Sequence, residues 1–330
     1  MDRRQDFVTV ENGPITLKVA VAGQGPLILC VHGWPELAYS WRHLVEHFAA
    51  HGYRVAALDV RGYGGSSKPR EIADYSLRKL ASDVVAVIDR LGDGKAIIFG
   101  HDWGAPISWT TALLHPGRVS AVALLSVPYI PLGEMSFIDM MQVMYRDRFF
   151  YQLYFQPEGV AEAELEADPG TSLRKVYFAW SGSAPADQWS THKPPDARLL
   201  DGLADPQAMP DWMSARDFDV FVEAFRAGGF RGPLNRYRAQ NIDYAESREL
   251  IGKPLSQPSC FIGGERDMAR SLIPGMDLYA DPGVGCTDFR GSTILPGIGH
   301  WVQQEAPTET NAALERFLAT LQRPPASSPR

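Results

Sequence analysis

Gly100-His101-Asp102-Trp103-Gly104 follows an apolar, strand-like run at 95–99 and leads directly into a helical pattern at 104–115. The pentapeptide has the spacing of a nucleophile elbow, G-x-Nuc-x-G, with aspartate at the central position where serine is more common. Glycines flank the nucleophile because the strained turn between strand and helix leaves no room for side chains. The N-terminus of the following helix offers a dipole and free N–H groups that favour a carboxylate. We therefore predict Asp102 to be a nucleophile on a strand–turn–helix unit.

The chain around this turn alternates strand and helix patterns over its first 127 residues. Apolar, β-branched runs predict strands at 7–11, 15–23, 26–31, 53–60, 95–100 and 119–127, and amphipathic patterns predict helices near 39–50, 76–91 and 104–115. Such alternation is typical of βαβ units around a parallel sheet. Asn12-Gly13 is a strong hairpin signal, so we expect the sheet to begin with an antiparallel pair.

The pattern changes between residues 129 and 253, where helix-like stretches near 134–154, 159–167, 214–228 and 232–244 alternate with loops rich in Pro, Gly and Asp. Strand patterns resume at 258–262 and 292–295, and a closing helix is predicted at 307–321. We predict an α/β core formed by 1–128 and 254–322, a helical cap at 129–253, and a disordered Pro/Ser-rich tail at 323–330.

Composition excludes several classes of function. The formal net charge is −7, from 32 basic and 39 acidic residues, and such a surface repels phosphate backbones, so no nucleic-acid partner is expected. The charged N-terminus lacks the apolar region of a signal peptide, and no apolar run is long enough to span a bilayer, so no membrane partner is expected. Three widely spaced cysteines, Cys30, Cys260 and Cys286, form neither a disulfide framework nor a zinc spacing. We expect a cytoplasmic protein.

Two further residues complete a candidate catalytic triad in the chain order nucleophile, acid, histidine. Asp267 ends the strand-like segment 261–267, and His300 follows the predicted strand 292–296. Both lie where a parallel sheet presents its carboxyl ends, the usual position of ligand sites. Each residue alone also has a structural interpretation, because an aspartate after a strand is usually a turn or helix cap and a single histidine is usually a surface or packing residue. Their order and context favour catalysis.

His32-Gly33-Trp34-Pro35 follows the predicted strand 26–31 and suggests an oxyanion hole. The backbone N–H groups of Trp34 and Trp103 could together bind a developing negative charge. A tight turn that merely needs Gly and Pro is the structural alternative. For His32 itself, we expect support of the loop rather than direct chemistry.

These motifs resemble those of a known family. Together with Gly62-Tyr63-Gly64-Gly65-Ser66-Ser67 and Gly299-His300-Trp301, they look like the motif set of soluble epoxide hydrolases in the α/β-hydrolase superfamily, over roughly residues 5–322. The resemblance implies an α/β-hydrolase core with a mostly parallel, eight-stranded sheet flanked by helices, an inserted helical cap, and a cis Trp34-Pro35 peptide. Asp-elbow dehalogenases share the elbow, so this motif alone does not separate the two families.

The resemblance also implies two tyrosines over the nucleophile. The segment 150–156 is similar to the family's first cap-tyrosine segment and points to Tyr151, and the segment 233–238 is similar to the second and points to Tyr237. Arg236 stands where the family often carries an aromatic residue, so the resemblance does not define the pocket wall at this position. With Trp103, the two tyrosines would contact the substrate. A tyrosine on a cap helix is otherwise usually a packing residue.

The predicted reaction is the conversion of an apolar epoxide and water to a vicinal diol. Asp102 would form a hydroxyalkyl ester, and water activated by His300, itself oriented by Asp267, would hydrolyse that ester. A haloalkane or haloacid dehalogenase, and a non-catalytic binding protein on the same fold, remain alternatives at this point. No metal or organic cofactor is implied, because no ligand cluster or P-loop context is visible. The oligomeric state is open, with a homodimer among the options.

Overall fold

An eight-stranded sheet organises the protein. The computed structural model describes residues 6–185, 187–189 and 193–322. The strands are β1 (Asp6–Asn12), β2 (Ile15–Ala22), β3 (Leu27–Val31), β4 (Arg54–Leu58), β5 (Ala96–His101), β6 (Val119–Leu125), β7 (Ser259–Gly264) and β8 (Phe289–Leu295). Their order is β1-β2-β4-β3-β5-β6-β7-β8, with β1–β2 and β2–β4 antiparallel and all other pairs parallel. The mostly parallel sheet and its antiparallel start at Asn12-Gly13 are confirmed.

Helices cover both faces of the sheet and fill the connection between β6 and β7. They are α1 (Arg42–Ala50), α2 (Leu77–Leu91), α3 (Gly104–Leu114), α4 (Phe137–Met144), α5 (Tyr151–Tyr154), α6 (Val160–Leu165), α7 (Pro169–Ala179), α8 (Ala215–Gly228), α9 (Arg231–Arg238), α10 (Gln240–Glu246), α11 (Val302–Glu305) and α12 (Pro307–Leu321). Helices α4 to α10 all lie between β6 and β7 in the chain. The domain boundaries at 128/129 and 253/254 stay predictions, and the tail at 323–330 lies outside the described residues.

The sheet separates two apolar cores, because successive strand residues point to opposite faces. All five residues of β3 are buried. Leu29 and Val31 belong to the core beneath α2 and α3, whereas Ile28 and Cys30 belong to the core beneath α1 and α12. A central parallel strand buried on both faces reads as a continuous apolar run, which explains why 26–31 was recognisable in the sequence.

Two predicted helices are each divided in the structure. The stretch 134–154 forms α4 and α5, and the chain between them turns so that the buried rings of Tyr145 and Phe150 stack with centroids 4.5 Å apart. The stretch 232–244 forms α9 and α10, which meet at Ala239. Tertiary packing of aromatic side chains fixes the first break, which helical periodicity alone does not reveal.

Helix α7 was missed in the sequence, although its start carries a recognisable signal. Asp168 is the N-cap, its carboxylate accepts hydrogen bonds from the N–H groups of Gly170 and Thr171, and Pro169 occupies the first turn. Asp followed by Pro is a typical helix start. Among the described residues, no helix combines the length and the apolar character that crossing a membrane requires.

Candidate active site

Asp102 lies on the turn between β5 and α3, with φ of 49°. This left-handed conformation is uncommon for a residue with a side chain and is typical of strained functional turns. The turn passes so close to β3 that a Cβ at Gly104 would lie 1.9 Å from the carbonyl oxygen of Val31. The elbow geometry predicted for 100–104 is thus present, and it fixes the carboxylate at the carboxyl edge of the sheet.

Asp267 and His300 lie at the same edge, after β7 and β8. Nδ1 of His300 lies 3.0 Å from each carboxylate oxygen of Asp267, and Nε2 lies 3.6 Å from Oδ2 of Asp102. Asp267 also caps a 3₁₀ turn by accepting from the N–H of Ala269 at 2.8 Å, and its Oδ2 lies 2.7 Å from the hydroxyl of Tyr279. Because Nδ1–H donates to Asp267, Nε2 is the ring atom that faces Asp102.

The buried carboxylates control the protonation of His300. Burial opposes a charge on the ring, but the adjacent carboxylates of Asp267 and Asp102 outweigh burial and raise the pKa of His300 to about 10. Burial likewise opposes ionisation of Asp267, yet the contact with His300 and the hydrogen bonds it accepts keep its pKa below the ordinary value. The two adjacent carboxylates therefore favour the protonated form of the His300 ring in the free protein.

The loop after β3 supplies a hydrogen bond to the nucleophile. The N–H of Trp34 donates to Oδ1 of Asp102 at 2.7 Å, and the Trp34-Pro35 peptide is cis. His32 supports this loop: its Nδ1 lies 2.8 Å from the carbonyl oxygen of Gly33, and its Nε2 accepts from the N–H of Val60 at 3.0 Å. Trp103 is the N-cap of α3, and the hydrogen bonds of the described chain include none from its N–H to Asp102.

The two predicted tyrosines lie close together on α5 and α9. The ring centroids of Tyr151 and Tyr237 are 5.9 Å apart. Nε2 of Gln152 donates to the hydroxyl of Tyr151 at 2.9 Å, whereas the buried hydroxyl of Tyr237 has no hydrogen-bond partner among the described residues. Burial, with Asp102 nearby, raises the pKa of both hydroxyls well above the ordinary value, so both keep their protons at neutral pH.

A cavity of about 530 Å³ reaches the nucleophile, the histidine of the triad and one of the two tyrosines. Asp102, Trp103, Tyr151 and His300 contribute to its wall, and most of the remaining wall is apolar, including Trp109, Leu113, Phe137, Met140 and Leu272. Asp267, Trp34 and Tyr237 are not part of this lining and lie buried behind it. A cavity of this size and polarity suits a small or medium-sized apolar molecule.

Trp180 is a site residue that sequence reasoning missed. It follows α7, lines the cavity, and packs edge-on against the ring of His300 with centroids 4.9 Å apart. Its carbonyl oxygen also accepts from the N–H of His300 at 2.8 Å. The only signal was the start of α7 at Asp168-Pro169, because nothing near residue 180 itself marks a site.

A buried contact between His101 and Glu36 beneath the triad was also missed. Nδ1 of His101 lies 2.6 Å from Oε2 of Glu36, and Nε2 lies 2.8 Å from the carbonyl oxygen of His300. Both ring nitrogens of His101 therefore face hydrogen-bond acceptors, one on a side chain and one on the backbone. Although Glu36 is buried, His101 beside it lowers the pKa of its carboxyl to about 2. The pair connects the loop after β3 to the backbone of His300.

Comparison with known proteins agrees with this geometry. Residues 26–230 match the family model described as the alpha/beta hydrolase fold. The chain is 38% identical over 318 residues to epoxide hydrolase A of Mycobacterium tuberculosis, a match that covers 95% of this chain and 97% of that protein.

Solved structures give the same result. An epoxide hydrolase from an endophytic Streptomyces superposes with a TM-score of 0.91 at 39% identity, covering 96% of each chain. Epoxide hydrolase A from Mycobacterium thermoresistibile superposes with a TM-score of 0.88 at 38% identity, covering 96% of this chain and 98% of that one. The chain belongs to the epoxide hydrolases of the α/β-hydrolase superfamily.

Proposed function

We propose that this enzyme converts apolar epoxides to vicinal diols through a hydroxyalkyl ester on Asp102. The observation that carries the proposal is that the two oxygens of that carboxylate have different partners. Oδ1 accepts from the N–H of Trp34 at 2.7 Å, whereas Oδ2 lies 3.6 Å from Nε2 of His300. Oδ1 is therefore the oxygen that a backbone donor stabilises, and Oδ2 is the oxygen available to attack.

In the first step, Oδ2 of Asp102 attacks a ring carbon of the epoxide, and the bond from that carbon to the ring oxygen breaks. The ring oxygen takes the hydroxyl proton of Tyr151, so the products are a hydroxyalkyl ester and a tyrosinate. The hydroxyl of Tyr237, which has no partner among the described residues, serves as the second donor to the ring oxygen. Because burial keeps both tyrosines protonated, each can donate at neutral pH.

Gln152 is proposed as a positioning residue for Tyr151. Nε2 of Gln240 lies 3.0 Å from the carbonyl oxygen of Tyr237 and 3.1 Å from Oε1 of Gln152, so it donates to both. The carbonyl oxygen of Tyr237 can only accept, so the amide atom of Gln240 that faces it must be the NH₂ group. The same NH₂ group faces the Gln152 amide, so the atom of Gln152 that it contacts must be the oxygen. Gln152 must therefore present its NH₂ to the Tyr151 hydroxyl. That hydroxyl accepts one hydrogen bond and keeps its own proton for the substrate.

Once the ester has formed, the protonated His300 returns a proton to the Tyr151 tyrosinate and becomes neutral. In the second step, water attacks Cγ of Asp102 while neutral His300 takes one of its protons. The negative charge develops on Oδ1, where the N–H of Trp34 already donates, and the N–H of Trp103 is proposed as the second donor. The tetrahedral intermediate then expels the diol oxygen, which takes the remaining proton of the attacking water, and the carboxylate is restored with one oxygen from water. His300 keeps the proton it took from water, so the enzyme returns to its starting state.

His300 can act as a base only after the ester has formed. Two carboxylates raise its pKa to about 10 in the free enzyme, which makes it a poor proton acceptor at neutral pH. Ester formation removes the charge of Asp102, and with it part of the interaction that holds the proton on the ring. The pKa of His300 therefore falls when a base is needed.

Diol formation from styrene oxide tests the proposal, with Tyr151→Phe, Tyr237→Phe and the double variant beside the wild type. We expect wild-type turnover, a large loss in each single variant and none measurable in the double variant. A single turnover in ¹⁸O-water should label Asp102 rather than the diol. Label in the first diol would indicate direct attack by water. Halide release from a haloalkane panel without diol formation would favour a dehalogenase instead.

A further inference from the structure

Two histidines and a glutamate meet on the surface where α12 packs beside α1. His47 lies in the last turn of α1 and His51 directly follows this helix, so their spacing of four places them on the same face. Their ring centroids are 4.4 Å apart with an angle of 29° between the planes. Glu315 of α12 approaches from the other side, with Oε1 2.8 Å from Nε2 of His47.

The three side chains have the chemistry and spacing of a metal-binding site. Each offers one ligating atom, and the three atoms lie within 4.8 Å of one another. Nδ1 of His51 lies 2.7 Å from the carbonyl oxygen of His47 and donates to it. This bond fixes the tautomer and leaves the lone pair of Nε2 available, an arrangement common for metal-bound histidines.

We propose that His47, His51 and Glu315 bind a divalent transition-metal cation of the Zn²⁺ type between α1 and α12. Two imidazoles and one carboxylate match the nitrogen and oxygen ligands that Zn²⁺ prefers, and water completes a tetrahedral shell. Side chains that are partly or fully exposed can make the small rotations that bring their ligating atoms to bonding distance. None of the three lines the active-site cavity.

A simple ion pair between His47 and Glu315 is the competing explanation. Exposed pairs of this kind contribute little to stability. The pair also leaves the placement of His51 unexplained, since its Nε2 takes no part in the contact. Metal binding uses all three residues and joins two helices whose ligands are 268 residues apart in the chain. Such a link would stabilise the folded state over the unfolded one, because the unfolded chain does not hold the ligands together.

Equilibrium dialysis against ZnCl₂ near neutral pH tests the proposal. We expect one Zn²⁺ per chain with micromolar affinity, and a loss of about tenfold or more in His47→Gln, His51→Gln and Glu315→Gln. His115→Gln, which changes a partly exposed histidine outside the cluster, should bind like the wild type. Zn²⁺ should also raise the unfolding temperature of the wild type and of His115→Gln, but not that of the three site variants.

Two results would overturn the proposal. One is a wild type that binds no Zn²⁺ in the micromolar range. The other is a His47→Gln/His51→Gln double variant that binds Zn²⁺ as tightly as the wild type, since the cation would then lie elsewhere. Circular dichroism of the variants without metal checks that these surface changes leave the fold intact. Neither result bears on the reaction at Asp102, because the readout is binding and not turnover.

Discussion

The carboxylate of Asp102 packs directly on the α-carbon of Gly33: a Cβ at residue 33 would lie 2.1 Å from Oδ1 and 2.4 Å from Cβ of Asp102. The loop after β3 and the elbow after β5 approach each other this closely because the N–H of Trp34 must reach the same carboxylate oxygen. Even the smallest side chain at position 33 would occupy the space of the nucleophile.

We expect Gly33→Ala to slow ester formation by about 100-fold, because displacing a reacting group by about 1 Å typically costs that much. The measurement is the single-turnover rate of ester formation with styrene oxide. Gly117→Ala is the matched control, since a Cβ at Gly117 meets nothing within 4 Å. An unchanged rate in a folded Gly33→Ala variant would show that the carboxylate tolerates displacement.

Replacing His300 should separate the two chemical steps. We expect His300→Ala to accumulate the ester, because the attack on the epoxide needs only Asp102 and the tyrosines, whereas hydrolysis needs the base. Intact-protein mass spectrometry after a single turnover should show a mass increase equal to the substrate. Asp102→Ala should show no adduct. If His300→Ala also shows none, the covalent route through Asp102 is wrong.

The pH dependence of ester hydrolysis should follow the pKa of His300 in the ester. The neutral ring is the active form, so the hydrolysis rate should rise with pH and level off at a pH below about 10, the value in the free enzyme. The rate should level off below this pH because the ester carries no negative charge at Asp102, and the pKa of His300 is therefore lower in the ester than in the free enzyme. Stopped-flow measurement of the hydrolysis step over a pH series checks this. A rate that falls with rising pH would contradict a base role for His300.

Two substitutions of Gln152 should slow ester formation with different pH dependences. Gln152→Ala removes one hydrogen bond to Tyr151 and should slow ester formation by about tenfold, without changing ester hydrolysis. Gln152→Glu places an acceptor there, so the ionised carboxylate draws the tyrosine proton away from the substrate and the loss should be larger. Protonation of the introduced carboxylate at lower pH should restore part of the rate in this variant only. Equal, pH-independent losses in both variants would indicate a purely structural role.

Glu36→Gln should destabilise the protein by about 3 kcal/mol, because it removes a buried carboxylate whose contact with His101 both partners make out of reach of solvent. The pKa of Glu36 falls from its ordinary 4.5 to about 2 in the folded state, so the contribution is present above about 4.5 and is lost as the pH falls towards 2. Denaturant unfolding at neutral and acidic pH measures both effects. Glu46→Gln changes an exposed residue of α1 and should have almost no effect on stability. If it destabilised the protein as much as Glu36→Gln does, the contact between Glu36 and His101 would not be the cause.

The amino-acid sequence was sufficient to predict features that depend on local pattern. Buried parallel strands such as 26–31 read as continuous apolar runs, and the elbow at Asp102 is marked by glycines whose absent side chains are required by the turn. The order of Asp102, Asp267 and His300, each after a strand, was readable for the same reason. Carboxyl ends of parallel strands meet at one edge, so chain position implies spatial position.

Only the tertiary structure decided the contacts between distant segments. Trp180 reaches His300 from the end of α7, and Glu36 reaches His101 because the loop after β3 packs against the end of β5. The protonation states follow the same rule: the pKa of His300 depends on burial and on two carboxylates contributed by different strand ends. Burial and the distance between two side chains depend on how the whole chain folds, so no local sequence pattern encodes them. For the same reason, the type of a residue does not by itself reveal its charge.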